Sequence, residues 1–133
     1  MKENNFEISE EKNELPTLTG ATPLELATAI GKTLDDKKGQ AVKVLHVEEQ
    51  TSITDYFVLC TGNSSTHVKA LAGELEYKIE LRGVKADNVE GRANNSWIVV
   101  DYGNVIVHIF SREAREFYNL DKLYGDKSPV IEF

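Results

Sequence analysis

Residues 96–110 read SWIVVDYGNVIVHIF, and this stretch decides the fold class. Two apolar runs rich in β-branched residues, 96–101 and 104–110, lie on either side of the turn dipeptide Tyr102-Gly103. This arrangement predicts a β-hairpin. Because both runs are almost continuously apolar, we predict that the hairpin lies inside a sheet that helices partly cover.

Further strands are predicted upstream of this hairpin. Residues 41–47 are apolar at alternate positions, and residues 56–61 form a compact apolar run. Both segments are rich in β-branched or aromatic side chains, which favour strands. Residues 86–90 predict one more strand, which is short and weak.

The first helix has a complete start signal. Thr22 can accept a hydrogen bond as the N-cap, Pro23 has its φ pre-set for the first helical position, and Glu25 completes a capping box. Apolar residues then recur on one stripe as far as Leu34, and Gly39 offers a left-handed C-terminal cap. The pattern predicts a helix over residues 22–38.

Two later helices complete the pattern. The longer one begins at Ser64 or Ser65 and carries apolar residues at the i, i+3, i+4 spacing until Arg82-Gly83 closes it. Ser111 caps a short helix that runs to about Tyr118. The order helix, strand pair, helix, strands, helix predicts an α/β (α+β) fold, in which helices are layered on a sheet.

Both ends of the chain differ from this pattern. Residues 1–20 are polar and acidic, and such a segment buries too little surface to offset the entropy of ordering. We therefore predict a disordered acidic tail over residues 1–20 and a single domain over residues 21–133, which suits a chain of 133 residues. Residues 126–133 are predicted to form a loose end.

Charge and cysteine content restrict the partner and the compartment. The chain carries a formal charge of -7 with a pI of about 5.0. Direct sequence-specific nucleic-acid binding is therefore disfavoured, and a basic protein partner is favoured. No apolar run approaches the roughly 20 residues of a membrane span, and no signal peptide is visible. With Cys60 as its one cysteine, the protein is expected to be cytoplasmic.

One segment offers weak evidence for an enzyme. Residues 61–65, Thr-Gly-Asn-Ser-Ser, lie between a strand and a helix N-terminus, where backbone N–H groups can bind phosphate. A glycine turn with a serine cap is, however, what any such connection needs. The pair of metal-binding carboxylates that a nucleotidyltransferase requires is missing from the sequence that follows. A nucleotide-binding or nucleotidyltransferase-like enzyme stays the alternative to a protein without catalytic activity.

Histidine and cysteine give no support for a metal site. His46, His67 and His108 lack the short spacing between ligands that zinc sites have. His108 and Cys60 alternate in phase with apolar neighbours, so we expect both to be structural and Cys60 to be buried. We predict no cofactor and no metal.

Aromatic and charged residues point to a protein interface. Trp, Tyr and Arg bury large areas and keep a polar group, and they anchor many interfaces. We assign Phe117 mostly to the core and expect one helix face to be accessible, formed by Arg112, Arg115, Glu116 and Asn119. A solvated charged face without a partner is the alternative interpretation. The candidates are Trp97, Arg112, Arg115, Glu116, Phe117, Tyr118 and Tyr124.

Four segments carry a family resemblance. They contain Asp55-Tyr56-Phe57-Val58 with Gly62-Asn63-Ser64-Ser65, Val68-Lys69-Ala70, residues 97–103 with Asp-Tyr-Gly, and residues 107–120 with Arg-Glu-Phe-Tyr. In order and spacing they resemble the ribosomal silencing factor (RsfS/Iojap) family over residues 22–130. The resemblance implies a mixed five-stranded sheet flanked by helices, with a nucleotidyltransferase-like fold that lacks the catalytic carboxylates.

The resemblance also implies a function in translation. It implies binding to the large ribosomal subunit through its fourteenth protein and steric blocking of association with the small subunit. A role as a ribosome-assembly adaptor and a homodimer of the free protein stay open. Near the C-terminus, residues 121–125 depart from the usual family ending, and Tyr124 takes the place of the aromatic anchor. The expected partner-binding residues are Trp97, Asp101, Tyr102, Arg115, Glu116, Tyr118 and Tyr124.

Overall fold

The structure, a computed structural model, describes residues 15–93, 96–125 and 130–133. The predicted tail over residues 1–14 and part of the predicted loose end, residues 126–129, lie outside the described residues. All predicted helices and strands are confirmed to within two residues at each end. The elements are α1 (Pro23–Asp36), β1 (Gln40–His46), β2 (Tyr56–Gly62), α2 (Ser65–Leu81), β3 (Asn88–Glu90), β4 (Trp97–Asp101), β5 (Val105–Ser111), α3 (Arg112–Tyr118), α4 (Leu120–Gly125) and β6 (Val130–Glu132).

The described strands form one mixed sheet in the order β3-β4-β5-β2-β1-β6. β2 and β5 pair in parallel at the centre, and the other neighbours are antiparallel. The predicted number of five strands is wrong, because residues 130–132 form a sixth strand that pairs with residues 43–45 of β1. Such a short strand, paired with a distant part of the chain, has no local sequence pattern that reveals it.

The two long helices cover one face of the sheet. The predicted capping box of α1 is present: Thr22 Oγ1 accepts from the backbone N–H of Glu25 at 3.1 Å, and the N–H of Thr22 donates to Glu25 Oε1 at 2.9 Å. The apolar stripes of α1 and α2 pack with alternate strand residues into the main core, which includes Ile30, Leu71 and Val107. This burial is the main stabilising contribution to the domain.

Among the described residues, the helices that cover the other face of the sheet are the short α3 and α4. A smaller buried cluster lies there, formed by Leu45, Val47, Phe57, Leu59, Phe110 and Ala114. α4 has no fully buried residue. Alternate side chains of a strand point to opposite faces, so half of each central strand faces this thinly covered side.

Residues 15–20 form an N-terminal strap that packs on the domain. Leu18 is buried, its N–H donates to the carbonyl oxygen of Arg82 at 2.7 Å, and Arg82 Nε donates to the carbonyl oxygen of Pro16 at 2.9 Å. For residues 15–20 the prediction of a disordered tail is therefore wrong. The physical reason is a single apolar side chain, Leu18, which the polar composition around it conceals.

Candidate functional site

The thinly covered face of the sheet carries a continuous series of aromatic rings. Phe57 comes from β2, Trp97 from β4, and His108 and Phe110 from β5. Ring centroids are 4.8 Å apart for Phe57 and His108, 5.8 Å for Trp97 and His108, and 5.1 Å for Trp97 and Phe110. We define the aromatic face as these four residues together with Tyr118 and Tyr124.

The two tyrosines belong to the helices that lie over this face. Tyr118 packs on Trp97 with ring centroids 4.3 Å apart, and Tyr124 meets Phe57 edge-on at 4.9 Å. Tyr118 is 49% exposed, while Trp97 and Tyr124 are half-buried. Rings that are held by neighbours and still reach solvent have the properties of interface anchors.

The same helices expose large apolar side chains. Phe117 is 80% exposed and Leu123 is 66% exposed. The assignment of Phe117 to the core is wrong, because α3 is short and turns Ala114 and Arg115 inward instead. Large apolar residues that stay exposed indicate an interaction surface when they lie close together.

Arg115 is buried, so its predicted accessibility is wrong. Its Nε and Nη2 donate to the two carboxylate oxygens of Asp121 at 2.9 and 2.8 Å, and its Nη1 donates to Thr61 Oγ1 at 2.9 Å. Lys43 Nζ lies 3.3 Å from Asp121 Oδ2. Hydrogen bonds from Arg115 are the main reason that the pKa of Asp121 lies below its usual value. We call Arg115, Asp121, Thr61 and Lys43 the Arg115 latch, which ties α3 and α4 to the sheet.

Two predicted site residues lie away from the aromatic face. Asp101 Oδ1 accepts from the N–H of Gly103 at 2.7 Å and so shapes the hairpin turn. Tyr102 is 8% exposed on the helix-covered side, and burial raises its pKa. At about 3.3 Å per residue, Asp101 lies about 13 Å along β4 from Trp97.

The remaining five predicted residues lie in two places. Trp97, Tyr118 and Tyr124 lie on the aromatic face, and Glu116 is exposed beside a cavity of about 330 Å³ that Arg115 also lines. Three of the seven predicted residues, Trp97, Tyr118 and Tyr124, thus share the aromatic face, while Arg115 and Glu116 border this cavity.

His108 occupies the middle of the aromatic face. Its Nδ1 accepts from Trp97 Nε1 at 3.1 Å, and its Nε2 is buried without a hydrogen-bond partner among the described residues. Burial lowers the pKa of His108 to about 4, so the ring is neutral at pH 7. Cys60 is also buried, as predicted, and burial raises the pKa of its thiol to about 12.

The segment 61–65 borders a second, polar cavity of about 570 Å³ at the start of α2 and α3. The hydroxyl groups of Ser64 and Ser111 accept from backbone N–H groups and so act as helix caps. Of the described residues that line this cavity, Glu113 alone carries a carboxylate. The geometry therefore gives no pair of carboxylates to hold two metal ions.

Residues 15–93, 96–125 and 130–133 contain no cluster of three histidine, cysteine or acidic side chains that could hold a metal ion. Over the same residues, no helix has the length and apolar character needed to cross a membrane.

Comparison with known proteins decides the family. A family model described as "Ribosomal silencing factor during starvation" matches residues 21–133. The chain belongs to the ribosomal silencing factor family. Ribosomal silencing factor RsfS of Haemophilus influenzae is 41% identical over 102 residues, which cover 77% of this chain and 100% of that protein. The protein of the same name from Halalkalibacterium halodurans is 37% identical over 108 residues, covering 81% of this chain and 92% of that protein.

A solved structure agrees with this assignment. A crystal structure of a protein from Chromobacterium violaceum superposes with a TM-score of 0.72 at 30% identity, covering 79% of this chain and 88% of that one. The resemblance to the RsfS/Iojap family and the predicted α/β fold class are confirmed, with six strands in place of five.

Several residues of the aromatic face and the helices over it were missed from the sequence. His108 and Phe110 were expected to share a face, because residues two apart in a strand do so, but they were not assigned to the site. Phe57 lies on a different strand, and only the pairing of β2 with β5 places it beside them. No sequence pattern indicated that Phe117 and Leu123 are exposed. The partners of Arg115, Thr61 on β2 and Asp121 on α4, come from two separate elements, and only the fold brings them together.

Proposed function

We propose that the protein binds the large ribosomal subunit through its fourteenth protein and sterically blocks association with the small subunit, which represses translation. Membership of the ribosomal silencing factor family supports a ribosome-associated role in regulating translation. We place this activity in the cytoplasm and propose that it involves no enzymatic turnover. The relatives above are named as silencing factors and not as enzymes.

The exposed apolar side chains of α3 and α4 carry the proposal. Phe117 and Leu123 are 80% and 66% exposed, and Tyr118 is 49% exposed beside the half-buried Trp97. Aromatic residues in such positions supply most of the binding energy at protein interfaces. We therefore propose that the partner covers this helix pair and the adjoining part of the aromatic face.

The charge of the chain supports a protein as the direct partner. A formal charge of -7 repels the phosphates of ribosomal RNA and attracts a basic protein. Opposite charges raise the association rate, and salt screens this effect over about 10 Å at ~0.1 M ionic strength. Binding should therefore weaken as the salt concentration rises.

The predicted site residues take different roles in this proposal. Trp97, Tyr118, Tyr124 and Glu116 contact the partner, and Phe117 and Leu123 join them. Arg115 is a positioning residue, because the Arg115 latch fixes α3 and α4 on the sheet. Asp101 and Tyr102 shape the end of the β4–β5 hairpin and make a smaller contribution.

Co-sedimentation with ribosomal particles tests the proposal. Wild-type protein is expected to bind isolated large subunits but neither small subunits nor joined ribosomes. Phe117→Ala should weaken binding by about 1–3 kcal/mol if Phe117 is a hot spot. Tyr77→Ala is a matched control, since Tyr77 is 44% exposed on α2, which covers the opposite face of the sheet. Equal binding to large subunits and joined ribosomes would refute the steric mechanism.

Crosslinking identifies the direct partner. A photoreactive phenylalanine analogue in place of Phe117 should crosslink to the fourteenth protein of the large subunit, because this side chain is almost fully exposed. Crosslinks to ribosomal RNA would contradict a protein as the direct partner, and crosslinks between two copies of the chain would indicate the homodimer instead.

Nucleotide binding tests the enzyme alternative. Micromolar binding of ATP or GTP with magnesium, lost on replacing Ser64, would support that alternative.

A further inference from the structure

We propose that His108 is the specificity-determining hydrogen-bond donor of the aromatic face, and that its Nε2–H donates to a backbone carbonyl oxygen of the protein partner. The inference rests on the proposed function, because it concerns the same face and the same partner. It adds a buried polar contact to a face that otherwise consists of aromatic rings.

Trp97 determines which nitrogen of His108 carries the proton. The indole N–H of Trp97 can only donate, and it lies 3.1 Å from His108 Nδ1. Nδ1 must therefore accept and carry no hydrogen, so in the neutral ring the proton is on Nε2. Burial keeps this ring neutral near pH 7, since it lowers the pKa to about 4.

The Nε2–H group has no acceptor within the described chain. The atom is buried, and the neighbouring rings of Phe57 and Phe110 lie with their centroids 4.8 and 5.9 Å from that of His108. A buried donor without a partner costs about 1–3 kcal/mol, and native proteins pair nearly all such groups. A buried water molecule would need about two to four polar partners, which these rings do not supply. A hydrogen-bond acceptor supplied by a binding partner gives this donor the bond that the described chain lacks.

The side chains over this part of the sheet can move aside. Trp97 and Phe57, the neighbours of His108, are covered by Tyr118 and Tyr124. Tyr118 is 49% exposed, and α4, which carries Tyr124, has no fully buried residue. Rotation of exposed side chains is fast, and interface rotamers commonly change on binding. An acceptor can therefore reach Nε2 when the tyrosines turn toward the partner.

A neutral carbonyl fits this position better than an anion. The acceptor must lose its water among aromatic rings, and desolvation costs a carboxylate or phosphate far more than a carbonyl. The formal charge of -7 further opposes an approaching anion. A backbone carbonyl on a basic protein surface meets both requirements, because the main chain is neutral whatever the charge around it.

Two substitutions separate recognition from packing. His108→Phe fills a similar volume without a donor, and His108→Gln keeps both functions, since its carbonyl can accept from Trp97 and its amide can donate. In co-sedimentation with isolated large subunits, we expect His108→Phe to raise the Kd about tenfold or more. His108→Gln should stay within about threefold of wild type by the same reasoning. The thermal midpoint of His108→Phe at neutral pH should stay close to that of wild type, because the unpaired Nε2–H is removed while the half-buried Trp97 N–H loses its acceptor.

His46→Phe is the matched control. This second histidine lies on β1 and stacks on Tyr56, away from the aromatic face, so its replacement should leave the Kd unchanged. If His108→Phe fails to fold, His108→Leu replaces it in the same comparison. Binding by His108→Phe with the wild-type Kd overturns the inference, as does a loss of affinity in both variants that follows a loss of thermal stability. If folded wild-type protein does not bind large subunits, the proposed function fails first and the inference falls with it.

The tautomer gives a test that needs no partner. In the free protein, the ¹⁵N chemical shifts of the His108 ring should identify Nε2 as the protonated nitrogen. A ring protonated at Nδ1 would overturn the inference, because Nδ1 could then not accept from Trp97. Addition of large subunits should shift the Nε2 proton signal in wild type and His46→Phe alike.

Discussion

His108 makes the stability of the fold depend on pH in a defined range. Burial lowers its pKa from 6.5 to about 4, so between these values the unfolded state binds the proton more tightly than the folded state. The free energy of unfolding that depends on a neutral His108 is fully present above pH 6.5 and decreases as the pH falls toward 4. The decrease is roughly 3 kcal/mol if the whole pKa shift is realised. Urea unfolding at about pH 7 and about pH 5 measures the difference, and His108→Phe should lack this component. The same loss in wild type and variant would contradict it.

Arg115 and Asp121 give a second prediction, with a different dependence on pH. Arg115→Met leaves Asp121 without its guanidinium partner, and removing one member of a fully buried pair costs about 3–5 kcal/mol. The Asp121 side chain is 25% exposed, so we expect a smaller loss of roughly 2 kcal/mol. Arg112→Met, on the exposed side of the same helix, should change the unfolding free energy by less than about 0.5 kcal/mol.

The pKa of Asp121 determines the pH below which the Arg115–Asp121 pair no longer stabilises the fold. Its pKa lies below the usual 3.8, so the stability is present above that value and is lost as the pH falls through the folded-state pKa. The advantage of wild type over Asp121→Asn should therefore be constant near neutral pH and shrink in acid. An advantage that stayed unchanged through acid unfolding would exclude the ion pair as its source.

At the scale of elements, two helical glycines form a matched pair. Gly73 in α2 has open space where a Cβ would be, so Gly73→Ala should stabilise the protein by about 0.5–1 kcal/mol through helix propensity. Gly31 in α1 faces the ring of Phe133, which a Cβ would displace. Gly31→Ala should therefore gain less or destabilise, because Phe133 follows β6 and helps to hold this edge strand. Urea midpoints of both variants decide the comparison, and equal gains would show that the Phe133 ring moves without cost.

The elements also show what local sequence can predict. The capping box of α1 and the apolar stripe of α2 are determined by residues within a few positions of each other, and both were predicted correctly. β6 depends on pairing with β1, and the paired residues, such as Lys43 and Glu132, are far apart in the sequence, so no local pattern indicates it. In α3, side-chain class suggested that Phe117 is buried and Arg115 exposed. The fold reverses this, because Asp121 and Thr61 supply the partners that allow an arginine to be buried.

At the scale of the whole molecule, the boundary of the required chain can be tested. We expect removal of residues 1–14 to leave folding and large-subunit binding unchanged, because this segment is polar and lacks an apolar stripe. Removal of residues 1–19 should instead destabilise the domain by about 2 kcal/mol, because it deletes the buried Leu18 and burying a leucine side chain contributes about 1.5–3 kcal/mol. Thermal unfolding of the two truncated proteins, with co-sedimentation as the second measurement, distinguishes them. A loss of binding in the shorter truncation would assign a function to the tail.

Steric blocking predicts a reciprocal coupling between two equilibria. If the protein binds only free large subunits, it must lower the affinity of the subunits for each other by the same factor by which joining lowers its own binding. Light scattering measures subunit association as the protein is added, and co-sedimentation measures protein binding as small subunits are added. Phe117→Ala should weaken both effects together. A protein that bound joined ribosomes while slowing translation would have to act by another route.

The parallel pairing of β2 with β5 has a consequence for the order of folding. Paired residues such as Tyr56 and Val105 lie 49 positions apart, whereas β4 and β5 are joined by a tight hairpin. Closing such a long loop costs entropy before any contact offsets it, so this pairing should form late. The aromatic face is built across that seam, with Phe57 on one side and Trp97 and His108 on the other. The proposed binding surface is therefore not assembled in a nascent or partly unfolded chain, and we expect only fully folded molecules to bind the large subunit.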